Sequence, residues 1–262
     1  FCAEHNFDAV DVTGYFFPGY PNAPKDEYIY RLKRHAFDLG LAISGTGVRN
    51  DFTAADQGVR AEGVARIKTW IEVAAKLGAP VIRAFADSQA PFKNWQAAAH
   101  NARREDVEVW LADSLRECAE HGKKFGVIVV VQNHGDFIST GEQHLSLLKR
   151  VDHEYCAAMV DTGKYNTPDP YVDIALVAPY AVTWQIKELM GTPADSPRVD
   201  MKKLVTIIRQ SGYRGYLPIE TLSSGRKDYN TYTAATEMLV QLREAIAATE
   251  SVAPQKQSQI VK

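Results

Sequence analysis

The chain has 262 residues, 45% apolar and 24% charged, which suits one globular domain with a sizeable core. Its net charge of −2 gives no electrostatic ground for a nucleic-acid or membrane surface. No apolar run approaches the roughly 20 residues of a membrane helix, and three scattered cysteines (Cys2, Cys118, Cys156) suggest neither a disulfide framework nor a Cys-type zinc site.

Taken in order, Phe1 to Asn6 reads as the end of a helix, and a first strand follows at Ala9–Val12. Further strands are predicted at Leu41–Ser44, Val81–Phe85, Val127–Gln132, Ala157–Asp161, Ala181–Ile186 and Tyr216–Glu220. Between them, apolar residues recur at helical spacing. Ile29, Leu32, Ala36 and Leu39 form one stripe; Val64, Ile67, Ile71 and Ala74 form another, stopping at Gly78. Val107, Leu111, Leu115 and Cys118 form a third, with a stop expected at Gly122. Thr140 with Gln143 fits a capping box, and Asp169 is an N-cap before a proline at the first helical position. Asp200 opens a helix that stops near Gly212, and a last helix is predicted over 233–247. The polar composition after Ser251 predicts a flexible tail over 251–262.

Strand–helix units repeated seven times describe an α/β protein with a parallel sheet. No Gly-rich phosphate loop follows any strand, which argues against an open nucleotide-binding sheet. The expected fold is a (β/α)8 barrel forming one catalytic domain over 1–250, with the first strand and most of its helix upstream of Phe1. The compartment stays open between cytoplasm and export, because a targeting segment can have been removed upstream. Homo-oligomerisation is left open too.

The stretch with most chemistry in it is Gly126 to Gly135. Val127 to Val131 are apolar at every position, as in a strand buried on both faces, and run into Gln132-Asn133-His134-Gly135. Parallel α/β folds carry their sites at such C-terminal strand ends. Three later strands also end in a side chain able to ligate metal: Asp161, Gln185 and Glu220. In a barrel these ends ring one mouth. Gln132, Asp161, Gln185 and Glu220 are therefore expected to share one hard divalent cation, Mn²⁺ or Mg²⁺. The competing expectation for each residue is a turn cap or a hydrogen bond within the barrel.

Taken together, Gln132-Asn-His-Gly135, Asp161-Thr-Gly163, Gln185-Ile-Lys-Glu188 and Gly212-Tyr-Arg-Gly-Tyr-Leu-Pro-Ile-Glu220 resemble a known group. It is the xylose isomerase-like TIM-barrel superfamily of sugar isomerases and epimerases, which also includes endonuclease IV. Lys76 to Arg83 matches that family's fourth strand and the end of the helix before it. The resemblance covers essentially the whole chain and implies a metal-dependent barrel acting on a small sugar or keto-sugar. Two positions depart from the pattern. The family's first metal-binding Glu is Gln132 here, and its His ligand is Gln185. The substitutions lower the negative charge of the site and remove one of the two glutamates that epimerases of this group use as bases.

Glu220 and His134 remain as proton-moving groups. Lys164 stands where many relatives place a substrate-facing His, and Lys187 follows Gln185 on the same strand face. Either cation can hold a sugar oxygen or stabilise an enolate, or be a solvated rim residue. Asn133, Arg49, Asn50, Arg83 and Tyr15 are candidate substrate contacts, and Tyr15, Phe16, Phe17 and Tyr20 a candidate aromatic wall. Trp184 alternates with Gln185 and is expected in the core.

The expected activity is proton transfer next to a carbonyl through an enediolate, giving isomerisation or epimerisation. With one base lost, β-elimination from a 3-keto-glycoside (a lyase, including C-glycoside cleavage) is the alternative on the same site. A catalytically silent sugar-binding barrel is the alternative of another class. DNA repair in the manner of endonuclease IV is disfavoured by seven scattered histidines and the acidic balance.

Overall fold

Short strands make the sheet, the most apolar of them buried on both faces. In the computed structural model, which describes residues 1–191, 196–223 and 225–254, six of them pair in parallel and in chain order. These are β1 (Ala9–Thr13), β2 (Ala42–Gly47), β3 (Val81–Phe85), β4 (Ile128–Gln132), β5 (Cys156–Asp161) and β6 (Ala181–Gln185). The helices between and after them are α1 (Asp26–Asp38), α2 (Gln57–Leu77), a single turn α3 (Trp95–Ala98), α4 (Arg104–Phe125), α5 (Gly141–Val151), α6 (Pro170–Val177), α7 (Met201–Gln210) and α8 (Thr231–Ala248). Strand-by-strand progression with helices between is the wound pattern of a TIM barrel, here a curled part-barrel.

Local signals act where they were expected. Thr140 accepts from the Gln143 N–H, Asp169 from Tyr171 N–H and Asp200 from Lys203 N–H. The Gln143 side chain reaches back to Ser139 N–H at 2.9 Å rather than to Thr140, so the box closes one residue early. Gly78 ends α2 in the left-handed conformation at φ 81°. At the start of the chain, the Phe7 N–H reaches Cys2 O at 2.9 Å and the Asn6 N–H reaches Ala3 O at 3.2 Å, with Asn6 at φ 59°. These residues form hydrogen-bonded turns rather than a helix.

Two further expectations are corrected. The third stripe does not stop at Gly122: α4 continues to Phe125 and is capped by Gly126 at φ 68°. Gly122 serves close packing instead, since a Cβ there would stand 2.3 Å from Val127 O. The seventh strand, Tyr216–Glu220, is reduced to one parallel bridge, Ile186 to Ile219. Ile186 N–H donates to Pro218 O at 2.7 Å and Glu220 N–H to Ile186 O at 3.0 Å. Pro218, lacking an N–H, adds no further rung. Of the eight strands of the expected barrel, the described residues supply six and this bridged segment. From residue 255 on, the expected tail lies outside the described residues.

The main core lies between sheet and helices, with Trp70, Trp184, Ile67, Leu111 and Leu115 fully buried in it. A second, small apolar layer of Val81, Val130 and Met159 fills the opposite face of β3, β4 and β5. Strand alternation then dictates what comes next on that inner face: two residues on are Arg83, Gln132 and Asp161. The polar layer of the mouth sits directly on this apolar floor.

Candidate active site

Asp161 ends β5 wholly buried. Its Oδ1 accepts the Gly163 N–H at 3.0 Å and its Oδ2 accepts the Gln132 Nε2 at 2.8 Å. A carboxylate only accepts, so Gln132 must turn its amide nitrogen toward Asp161. The same nitrogen donates to Gln185 Oε1 at 3.0 Å, which fixes that amide in turn. Gln132 Oε1 is left buried without a hydrogen-bond partner.

Lys187 follows on the inner face, two residues past Gln185. Its Nζ lies 3.5 Å from Asp161 Oδ2 and in contact with Glu220 Oε2. Burial lowers the amine below the ordinary lysine range, with Asp161 opposing that. Lys164 and Arg83 nearby push it the same way as burial, while Glu220 places a second carboxylate against the amine. Glu220 itself is one-third exposed, at 33%. Lys164, half-buried, lines the same pocket together with Lys187, Glu220, Glu188 and Arg226. Glu188 is itself tied by Arg226 in two bonds of 2.8 and 2.7 Å and by Tyr229 OH at 2.9 Å.

His134 lies beyond the end of β4 with its side chain 38% exposed, and its Nδ1 contacts the buried Asp87 carboxylate. Asp87 had no sequence signal of its own. It lies two residues past Phe85, whose ring meets His134 edge-on at 5.2 Å, and strand-end position was the one clue to it. Arg83 and Arg49 converge on Tyr15: Arg83 Nη2 donates to its hydroxyl at 3.2 Å, and the Arg49 guanidinium lies 5.0 Å above its ring. The aromatic wall divides. Phe17 and Tyr20 pack on Trp70 at 5.4 and 5.9 Å, whereas Phe16 is 83% exposed.

Asn133 is engaged elsewhere than in the mouth. Its Nδ2 donates to Asp161 O at 2.9 Å and its Oδ1 accepts Asp161 N–H at 2.8 Å. Asn50 clamps the main chain of Phe85 the same way, at 2.8 Å in both directions. These amides replace missing ladder bonds at strand ends.

Behind β4, His144 of α5 is fully buried. Its Nε2 pairs with Val131 O at 3.0 Å and its Nδ1 with the Tyr165 hydroxyl at 2.9 Å. The carbonyl needs a donor, so Nε2 carries the proton and Nδ1 accepts. Burial pulls the imidazole from 6.5 down to about 4. A neutral buried His contributes stability fully above its unfolded value, and this is lost as pH falls through 6.5 toward about 4. The expected loss is about 3 kcal/mol over that window, taken at about 1.4 kcal/mol per pH unit. Urea midpoints at pH 7.5, 5.5 and 4.5 measure it. A His144→Gln variant should be less stable at neutral pH and show a shallower fall.

A family model for the xylose isomerase-like TIM barrel matches residues 1–245. The chain belongs to that family. None of the curated proteins matches it by sequence. The apo structure of 3-keto-D-glucoside 4-epimerase from E. coli is similar at a TM-score of 0.73 and 16% identity, over 92% of this chain and 90% of that one. D-psicose 3-epimerase from Clostridium cellulolyticum H10, with D-tagatose, is similar at 0.72 and 17%, over 96% and 91%. A xylose isomerase-like TIM barrel protein from Mycobacterium smegmatis, in complex with magnesium, is similar at 0.67 and 20%, over 94% and 86%. At these identities the likeness is one of fold.

As a xylose isomerase-like barrel, the chain is expected to seat a divalent metal on Gln132, Asp161, Gln185 and Glu220. The donor set as arranged does not fit one. Hard cations want oxygens, but Gln132 turns its nitrogen to Asp161 and to Gln185 Oε1, and its own Oε1 stays buried without a partner. The Lys187 ammonium already lies on Asp161 and Glu220. No group of three or more His, Cys, Asp or Glu able to hold a metal occurs among the described residues. Nor is any helix among them long and apolar enough to cross a membrane.

Proposed function

We propose that this barrel is a sugar isomerase/epimerase-like enzyme that moves a proton on a carbon next to a carbonyl. The observation that carries the reading is the Lys187–Glu220 pair at the mouth, an ammonium and a carboxylate in contact above the buried Asp161. The family supports it, as do the printed activities of similar folds, which epimerise a 3-keto-glucoside and a ketose.

The chemistry follows from the groups present. A sugar carbonyl oxygen takes a place on the Lys187 ammonium, and the competition frees the Glu220 carboxylate. Glu220 then removes the proton from the adjacent carbon. The C–H electrons form the enediolate C=C, and the charge on oxygen is held by Lys187. His134, positioned by Asp87, returns a proton to carbon or oxygen. Return from the opposite face gives an epimer; return to the neighbouring carbon, with the hydroxyl proton of the first carbon passing to the oxyanion, gives an isomer. Lys164, Arg83, Arg49 and Tyr15 hold hydroxyls around it, while Asn133 keeps Asp161 in place.

If the substrate carries a leaving group β to the carbonyl, on the carbon next to the acidic one, the enediolate electrons expel it, and His134 protonates it. That is the lyase variant of the same site. Incubation with a panel of ketoses and 3-keto-glucosides in D₂O, followed by NMR, separates the outcomes. Deuterium uptake without cleavage supports the isomerase; aglycone release supports the lyase. Sugar binding with no exchange at all would leave a silent binding barrel and sink the proposal.

Asp87 is a positioning residue in this scheme. Asp87→Asn should lower kcat by on the order of 10²–10³-fold with KM little changed, since it disturbs the proton location on His134. It should also move the limb of the kcat–pH profile that reports the imidazole. A loss of activity with an unmoved profile would point to a structural role alone.

A further inference from the structure

The mouth of this barrel already contains a cation, and it is covalently attached. Lys187 has a side chain only 9% exposed, running between the wholly buried Asp161 and the rim carboxylate Glu220. Its path is prepared on every side. Gly163 leaves the room: a Cβ there would stand 2.9 Å from Lys187 Cγ and 2.7 Å from Leu189 O. Thr162 Oγ1 accepts the Lys187 N–H at 2.9 Å. The residue before it, Ile186, is pinned through both backbone groups by Pro218 and Glu220. The lysine is therefore held at its root, along its stem and at its tip.

The two acids, Asp161 and Glu220, rather than the amides, are what face the lysine amine. Gln132 turns its nitrogen to Asp161, leaving its Oε1 buried and without a partner. A divalent ion would have to dislodge Lys187 from both acids, stand beside its displaced charge and turn Gln132 around.

We propose that the Lys187 ammonium is the resident cation of this mouth, seated in place of a divalent metal, so that the protein takes up no Mn²⁺ or Mg²⁺ there. Its consequence for catalysis, oxyanion stabilisation by an ammonium, rests on the enzymatic reading above; its consequence for metal binding does not.

The test uses the full chain and two variants, loaded with millimolar Mn²⁺, dialysed, and assayed by elemental analysis, Mn²⁺ titration by EPR, and melting temperature with and without the ion. Wild type should retain well under one Mn²⁺ per chain and show no melting shift. Gln132→Glu alone should behave the same, its new carboxylate pairing with Lys187. Gln132→Glu combined with Lys187→Ala should bind one Mn²⁺ about 100-fold more tightly than wild type, since ligand charge sets such affinities. Its melting temperature should rise with the ion. Stoichiometric Mn²⁺ in wild type overturns the proposal. So does Gln132→Glu binding the ion as tightly as the double variant, a comparison that holds even if Lys187→Ala alone folds poorly. Proton exchange on a sugar that requires added Mn²⁺ would also overturn it while leaving the sugar reading intact. Metal-free protein with no sugar activity would do the reverse.

Discussion

Glu220→Gln should slow proton exchange on an accepted keto-sugar by on the order of 10³–10⁴-fold, with little change in melting temperature. The amide keeps the shape and the hydrogen bond to Lys187 but cannot take a proton. Glu220 is one-third exposed, so its ion pair contributes little to stability. Single-turnover exchange in D₂O measures the effect. A variant within tenfold of wild type would remove Glu220 from the chemistry and leave His134 to act alone. Substrate binding should survive, so KM or a ligand-induced melting shift separates the catalytic loss from a collapsed site.

Lys187→Met should cost about 3–5 kcal/mol of folding stability, because it leaves a buried charge unpaired. Asp161 is 0% exposed and would keep only the Gln132 amide and the Gly163 N–H as partners. Adding Asp161→Asn should recover most of the loss, as the neutral amide still accepts from Gln132. Urea denaturation of wild type, both single variants and the double variant gives the coupling between the two charges. Failure to recover would assign the loss to the packing of the lysine stem rather than to its charge. If the double variant folds, its exchange rate should still lie about 10²–10³-fold below wild type, since no oxyanion donor replaces the ammonium.

Much of the architecture was legible in the linear order. Strands such as Val81–Phe85 announce themselves because a segment covered on both faces has no polar position to interrupt it. Helix limits at Asp169, Asp200 and Gly78 depend on one local bond or one backbone angle, so they too are written locally. Where the reading went astray, a contact distant in the fold was responsible. Gly122 resembled a helix stop but exists to admit Val127 O, and Tyr216–Glu220 resembled a strand yet obtains a single rung beside Pro218.

The site divides along the same line. Strand-end position and alternation were sufficient to nominate Gln132, Asp161, Gln185 and Glu220 together, because an inner face follows from a period of two. Which atom each presents was not. Gln132 and Asp161 are 29 residues apart, and only their meeting turns the amide nitrogen inward. Asp87 and His134, 47 apart, become a pair through a contact no local pattern encodes.

What the sequence determined by itself is the order of strands, the faces they bury and the kinds of side chain that reach the mouth, since these follow from short-range geometry. What the tertiary structure decided is where the positive charge in the mouth comes from. A flexible lysine stem can end anywhere within its reach. Only a glycine opposite it, a clamped backbone behind it and two acids in front of it settle that it ends there.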